Sequence, residues 1–240
     1  MLRCGDEVSI LIDFEEDNSN IVSTKMDLNI IYEDDSYIVI NKPSNTPVHP
    51  SMMHYENSLS NGLKYYFEKI GLKKKIRPVN RLDKDTSGIV IFAKNEYIQE
   101  CLIKQMKKKS FVKEYIAICE GNFENRSGII NKPISRKENS IIERCVNENG
   151  DIAVTHYDLI KNNNDYSILH CTLETGRTHQ IRVHLAYIGH PIIGDTLYGN
   201  KSDKITRQAL HAYKVGFNHP ITKQKVEYVA KIPHDIEALM

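Results

Sequence analysis

The chain of 240 residues has no tryptophan, no long apolar run and almost no net charge: 32 lysines and arginines stand against 31 aspartates and glutamates, for +1 at pH 7. Each absence excludes something. A bilayer-spanning helix needs about 20 consecutive apolar residues, and no stretch approaches that. A near-neutral chain is not one that coats nucleic acid through bulk positive charge. The five cysteines, Cys4, Cys101, Cys119, Cys145 and Cys171, are odd in number and widely spaced, with no C-x-x-C pair. They indicate neither a disulfide framework nor a zinc knuckle. Residues 1–6 lack the apolar core of a signal peptide, so the expectation is no export and a cytoplasmic location. Neither a P-loop nor G-x-G-x-x-G occurs, which removes the usual nucleotide cradles. Ser87, in Thr-Ser-Gly, lacks the G-x-S-x-G elbow of a serine hydrolase.

What is present is an ordinary globular composition, 40% hydrophobic and 26% charged, in a chain long enough for one large domain or two small ones. Residues 1–27 are the least core-like. Gly5–Ile12 reads as one strand and Glu15–Asn20 as an acidic linker, either packed on the main body or the remnant of a longer domain. From residue 28 to 240 the pattern tightens into the main domain. Ile30–Tyr32 and Tyr37–Ile40 read as a hairpin ended by Pro43, and the proline-rich loop that follows carries His49 and His54. Ser58 is placed to cap a helix over 59–70, with Leu59, Leu63, Tyr66, Phe67 and Ile70 inward and Gly71 as its stop. Ile89–Ala93 reads as a buried strand, and Asn95 caps a second helix with Ile98, Leu102 and Met106 inward. Phe111–Glu120 alternates as a strand. Short strands and loops fill 121–150, and a strand pair covers 153–160 and 166–173. A helix capped by Thr178 or its neighbour buries Ile181, Leu185 and Ile188 before Gly189. Strands over 209–217 and 226–231 close the chain. The fold class is α+β, a mostly antiparallel mixed sheet with a few flanking helices.

Asn80-Arg81-Leu82-Asp83-Lys84-Asp85-Thr86-Ser87-Gly88 feeds a polar loop directly into the apolar strand 89–93, which holds a reactive side chain on a rigid scaffold within reach of solvent. An aspartate beside a guanidinium stays ionised and available as nucleophile or base. Lys73, Lys74, Lys75 and Arg77 lie upstream; Lys104, Lys107, Lys108, Lys109 and Lys113 lie downstream, and two such runs flanking one site suit a polyanionic partner. His179 and His184 are five apart, whereas a zinc pair on one helix face wants four, so a metal is not expected.

Arg81-Leu82-Asp83-x-x-Thr86-Ser87-Gly88 with Ala93-Lys94 resembles the catalytic loop of the RluA-type pseudouridine synthases. Lys113-x-Tyr115-x-Ala117 is similar to the family's tyrosine strand. Gly176-Arg177-Thr178-His179-Gln180-Ile181-Arg182-Val183-His184, with Gly189-His190-Pro191-Ile192-x-Gly194-Asp195-x-x-Tyr198-Gly199, resembles its third motif. Asn41-Lys42-Pro43, Val48-His49-Pro50 and Leu210-His211-Ala212 are similar to further signposts, in order, from about residue 28 to 235. The resemblance implies isomerisation of uridine to pseudouridine in structured RNA, with ribosomal RNA favoured over transfer RNA. It implies no cofactor, no metal and no obligate protein partner; a monomer is expected. It makes Asp83 the catalytic carboxylate, Arg182 its ion-pair partner, and Tyr115 the group that stacks on the base near C5. Arg81 holds the flipped nucleotide, and Arg177, His179, Gln180, Lys107, Lys108 and Lys109 are RNA contacts. Asp85 is expected to be structural or a loop ion pair.

Two departures stand out. Asn80 occupies a place where the family has histidine. Only the end of the small RNA-binding domain carried by many members is matched, by Arg3-Cys4-Gly5-Asp6-x-Val8, so RNA contacts are expected to fall to the catalytic domain. Two other classes compete. A non-catalytic RNA-binding module would not need a carboxylate that repels phosphate, and a metal hydrolase using Asp83 and Asp85 lacks a ligand cluster.

Overall fold

A computed structural model describes residues 3–9, 14–51 and 55–240. The hairpin is formed by β1 (Ile30–Glu33) and β2 (Tyr37–Lys42). Asp34 makes its turn, accepting from the backbone N–H of Ser36 at 2.7 Å and of Tyr37 at 2.9 Å. Helix α1 (Leu59–Lys69) starts at Ser58 in a reciprocal capping box with Asn61. Leu59, Leu63 and Phe67 are buried, but Ile70, expected inward, is 48% exposed. It is the C-cap residue, where the chain leaves the helical screw before Gly71 at φ +72°.

The elements that follow are β3 (Arg77–Pro78), β4 (Ser87–Ala93), α2 (Glu96–Lys107), β5 (Val112–Glu120), β6 (Ser127–Asn131), β7 (Ile134–Arg136), β8 (Arg144–Val146), β9 (Val154–Asn163) and β10 (Tyr166–Leu173), then α3 (Gln180–Tyr187), β11 (Leu210–Asn218), β12 (Lys225–Val229) and α4 (His234–Glu237). Ten strands make one sheet in the order β1-β2-β4-β11-β5-β10-β9-β6, with β12 on β11 and β3 on β4; β7 and β8 form a separate ribbon. The architecture is the expected α+β, a mostly antiparallel sheet with few helices. Among the described residues its one parallel joint is β4–β11, pairing Ser87 with His211 and Gly88 with Ala212. Gly88 permits that approach: its φ is +116°, and a Cβ there would sit 2.3 Å from the Ala212 carbonyl oxygen.

Strand β4 is buried throughout, as its unbroken Ile-Val-Ile-Phe run requires. Ile89, Ile91 and Ala93 pack with Ile98 and Leu102 of α2 on one face; Val90 and Phe92 pack with Leu59, Leu63 and Phe67 of α1 on the other. A third cluster, with Tyr115, Ala117, Ile181 and Leu185, seats α3 on β5. Helix α3 is capped by His179 in the left-handed region (φ +59°) with no side-chain cap bond, so Thr178 does not cap it.

Residues 3–9 contain no strand; 10–12 of the expected strand, and His54, lie outside the described residues. Residues 14–18 run along 73–77. The Glu16 N–H donates to Lys73 O at 2.9 Å, and the Ile76 N–H donates to Asn18 Oδ1 at 2.9 Å. Among the described residues no helix is long and apolar enough to cross a membrane.

Candidate active site

The loop before β4 is anchored at almost every residue. Asn80 replaces ladder bonds with its side chain: Nδ2 donates to Ile89 O and Oδ1 accepts from the Ile91 N–H, both at 2.9 Å. Lys84 O accepts from Lys42 Nζ at 2.8 Å and from the Thr46 N–H at 3.1 Å. Lys42 has no exposed surface, and its other two donors reach Pro43 O and Thr46 O at 2.8 and 2.7 Å. Asp85 O accepts from Arg207 at 3.1 Å, and Ser87 Oγ lies 2.9 Å from His211 Nδ1. With its backbone held, the loop leaves the Asp83 side chain 25% exposed.

Arg182, on the first turn of α3, serves two carboxylates. Its NH1 donates to Asp83 Oδ2 at 2.8 Å, while Nε and NH2 grip Asp195 bidentately at 2.7 and 2.8 Å. Asp195 is buried and also accepts from the N–H of Leu197 at 3.0 Å. Burial disfavours the Arg182 cation, but the Asp195 hydrogen bonds and the Asp83 charge outweigh it and hold the guanidinium above its usual range. The Arg182 guanidinium carbon lies 5.1 Å from the centre of the Tyr198 ring. The Tyr198 hydroxyl accepts from the Arg144 N–H and meets His179 Nδ1, each at 2.8 Å. His179 Nε2 is 3.7 Å from Asp83 Oδ1; burial pushes this imidazole down, so it faces the carboxylate as a neutral ring. Tyr115 is buried, and burial with the Asp83 charge pushes its phenol well up, so the hydroxyl keeps its proton. Asp83, Tyr115 and Arg182 meet at a recess of about 60 Å³, also lined by Leu82, Leu173 and Leu210. It adjoins an open cavity of about 1050 Å³.

The RNA pseudouridylate synthase family matches residues 36–187. This chain is a member of it. YhcT, an uncharacterised RNA pseudouridine synthase of Bacillus subtilis, is 40% identical over 241 residues, 100% of this chain and 80% of that one. The ribosomal large subunit pseudouridine synthase D of Haemophilus influenzae is 36% identical over 250 residues, 98% and 76% of the two chains. Among solved structures, human RNA pseudouridylate synthase domain containing 1 superposes with a TM-score of 0.72 at 26% identity, covering 86% of this chain and 84% of that one.

The synthase's large cavity is lined by Arg81, Asp83, Tyr115, Arg177 and His179, and at its rim by Lys107 and Lys109. Two of the expected RNA contacts, Gln180 and Lys108, do not line this cavity. Gln180 is 3% exposed, and its amide is saturated by Val154 O, Thr155 Oγ1, Thr175 Oγ1 and the Arg177 N–H. It holds the turn before α3 and has nothing left for RNA. Lys108 is the exposed C-cap of α2 and does not line the cavity. Lys109 is paired with Glu174 across the rim. Asp85 makes no ion pair among the described residues; its carbonyl, not its carboxylate, is the structural group. His179 and His184 turn to different partners, His184 to Thr155 Oγ1 and Lys132 O, both at 2.9 Å. Asp195 and Tyr198 were legible only as motif positions. The available signal was an acid set between an apolar Pro-Ile-Ile-Gly stretch and an aromatic, where burial demands a cationic partner.

Proposed function

We propose that this synthase isomerises uridine in ribosomal RNA, using Asp83 as the nucleophile on a base turned out of its stack. What carries the reading is one geometry: an accessible aspartate held by a doubly bound arginine, with a buried, protonated tyrosine across a small recess of mixed polar and apolar lining. Fixed by Asp195, the Arg182 guanidinium orients the Asp83 carboxylate without having to be ordered during the reaction. Asp83 takes C1′ as the C1′–N1 bond breaks, the base turns, C1′–C5 forms as the Asp83–C1′ bond breaks, C5 gives its proton to solvent and N1 takes one up. Arg81, exposed at the cavity mouth, takes the place vacated by the extruded base, and Tyr115 stacks on the base near C5. Unstacking costs a few kcal/mol, which these two contacts offset. Arg177, Lys107 and His179 complete the RNA contacts.

Ribosomal rather than transfer RNA is supported by relatives named ribosomal large subunit pseudouridine synthase D, 36% identical in Haemophilus influenzae and 40% in Blochmanniella floridana. Residues 28–240 are the catalytic unit, working as a cytoplasmic monomer; sedimentation of the purified chain tests the monomer. The deciding experiment measures release of the C5 hydrogen from uridine in ribosomal RNA without added metal. Asp83→Asn should abolish release and keep RNA binding. Full turnover by that variant would remove Asp83 from the chemistry, and binding without turnover by the wild type would leave an RNA-binding module.

A further inference from the structure

Lys113 stands two residues before Tyr115 on β5, on the same face of the strand and about 7 Å along it. Its side chain is half-buried at the wall of the large cavity. Two other half-buried lysines, Lys94 and Lys214, have carboxylate partners: Lys94 reaches Glu33 at 2.8 Å, and Lys214 reaches Glu227 at 3.0 Å. Lys42 satisfies all three donors with carbonyls. Lys113 has no carboxylate within 4.0 Å among the described residues, and its one hydrogen bond is a long one, 3.3 Å, to Thr175 O. The adjacent Glu114 points to the other face, towards His170 at 2.8 Å. Burial disfavours the Lys113 cation, and no neighbouring charge repairs the loss.

The space over this ammonium is kept clear by Gly176. Its backbone does not lie at positive φ, so the turn itself does not call for glycine. A Cβ there would press on Lys113 Nζ at 3.2 Å. A half-buried cation with two donors unmatched, facing an open cavity under a residue without a side chain, lacks an anion. Asp83 does not supply one, since it is committed to Arg182.

We infer that Lys113 and Gly176 form a phosphodiester subsite that holds the RNA backbone beside the extruded nucleotide. The inference rests on the RNA-isomerase reading and extends it: the base is handled at Asp83 and Tyr115, and the backbone is held one strand step away. Lys113 is thus a substrate-binding group rather than a proton carrier for C5.

Binding and turnover are read separately, so that failure of one reading does not hide the other. The probe is an unmodified large-subunit ribosomal RNA transcript. Equilibrium binding by wild type, Lys113→Met, Lys113→Arg and Gly176→Ala is measured across a salt series. Lys113→Met keeps the apolar stem and should weaken binding about tenfold, with the slope of log K against log salt shallower by about 0.7, one phosphate contact on a single strand. Lys113→Arg should restore that slope. Gly176→Ala should weaken binding in the wild type and have no effect in the Lys113→Met background, since the two share one contact. In turnover, Lys113→Met should raise KM and leave kcat within about twofold. An unchanged slope in Lys113→Met, or a loss confined to kcat, would overturn the subsite. Failure of the wild type to form pseudouridine would overturn the isomerase reading and leave the binding result standing.

Discussion

Asn80 shows how one side chain substitutes for backbone. Its amide supplies both a donor and an acceptor to β4, at Ile89 O and the Ile91 N–H, and both strand residues are fully buried. Removing it leaves two buried backbone groups without partners, at about 1–3 kcal/mol each. Asn80→Ala should therefore lose about 2–4 kcal/mol, a fall in Tm of about 5–15 °C for a chain of this size. Asn80→Asp retains the acceptor but sets an anionic oxygen against the Ile89 carbonyl. It should be less stable than Asn80→Ala at pH 7 and recover as the carboxyl is protonated in acid. Equal melting curves for the two variants across that range would refute the assignment. Asp195 acts through its neighbour: with Asp195→Asn the Arg182 fork loses its bidentate anchor and can swing with Asp83. C5-hydrogen release should show a lower kcat and little change in KM, because the group orients Asp83, the proposed nucleophile, through Arg182 and does not line the large cavity.

At the scale of elements, the segments readable from the sequence were those whose signal is local. The Asp34 hairpin, the Ser58 and Asn95 caps and the unbroken run of β4 announce themselves within a few residues. The β4–β11 joint did not, because parallel pairing joins residues 87 and 211 with no turn between them to mark it. Strand β3, two residues long, is too short for any period to register. Asp195 as the second partner of Arg182 is likewise a meeting of distant segments. The joint carries its own prediction. His211 is fully buried beside Ser87, its Nε2 has no partner among the described residues, and burial holds its pKa down at about 4 from an ordinary 6.5. The fold favours the neutral ring, so its stability is complete above the unfolded value and declines as pH falls from about 6.5 to 4. The loss is about 3 kcal/mol at 1.36 kcal/mol per pH unit. His211→Gln should flatten the unfolding free energy over that window relative to wild type. An unchanged slope would show that another group titrates there.

For the whole molecule, the question is how a chain of net charge +1 grips a polyanion. The upstream basic run is engaged internally. Glu16 is buried against Arg77, Lys73 meets Glu15 at 2.9 Å, and Lys74 donates to Phe14 O at 2.8 Å. Ion pairs with Glu15 and Glu16 thus take up Lys73 and Arg77, two of the nine cations that the sequence suggested for RNA. The cations left to face the cavity are Arg81, Lys107, Lys113 and Arg177, since Lys109 is held by Glu174. Each phosphate neutralised contributes about −0.7 to −0.9 to the slope of log K against log salt, so four contacts predict a slope of about −2.8 to −3.6. Titration of Asp83→Asn with the ribosomal transcript between 50 and 200 mM salt, a range of about fourfold as used for such slopes, measures it without turnover. Should the acidic segment peel away on binding, Lys73, Lys74, Lys75 and Arg77 would join the interface and the slope would steepen beyond about −6. The buried Glu16–Arg77 pair opposes that release, because separating such a pair strands a charge at about 3–5 kcal/mol. A slope of about −3 that does not change in Glu15→Gln would confirm that the segment stays in place, and one of about −6 or steeper would show that RNA displaces it.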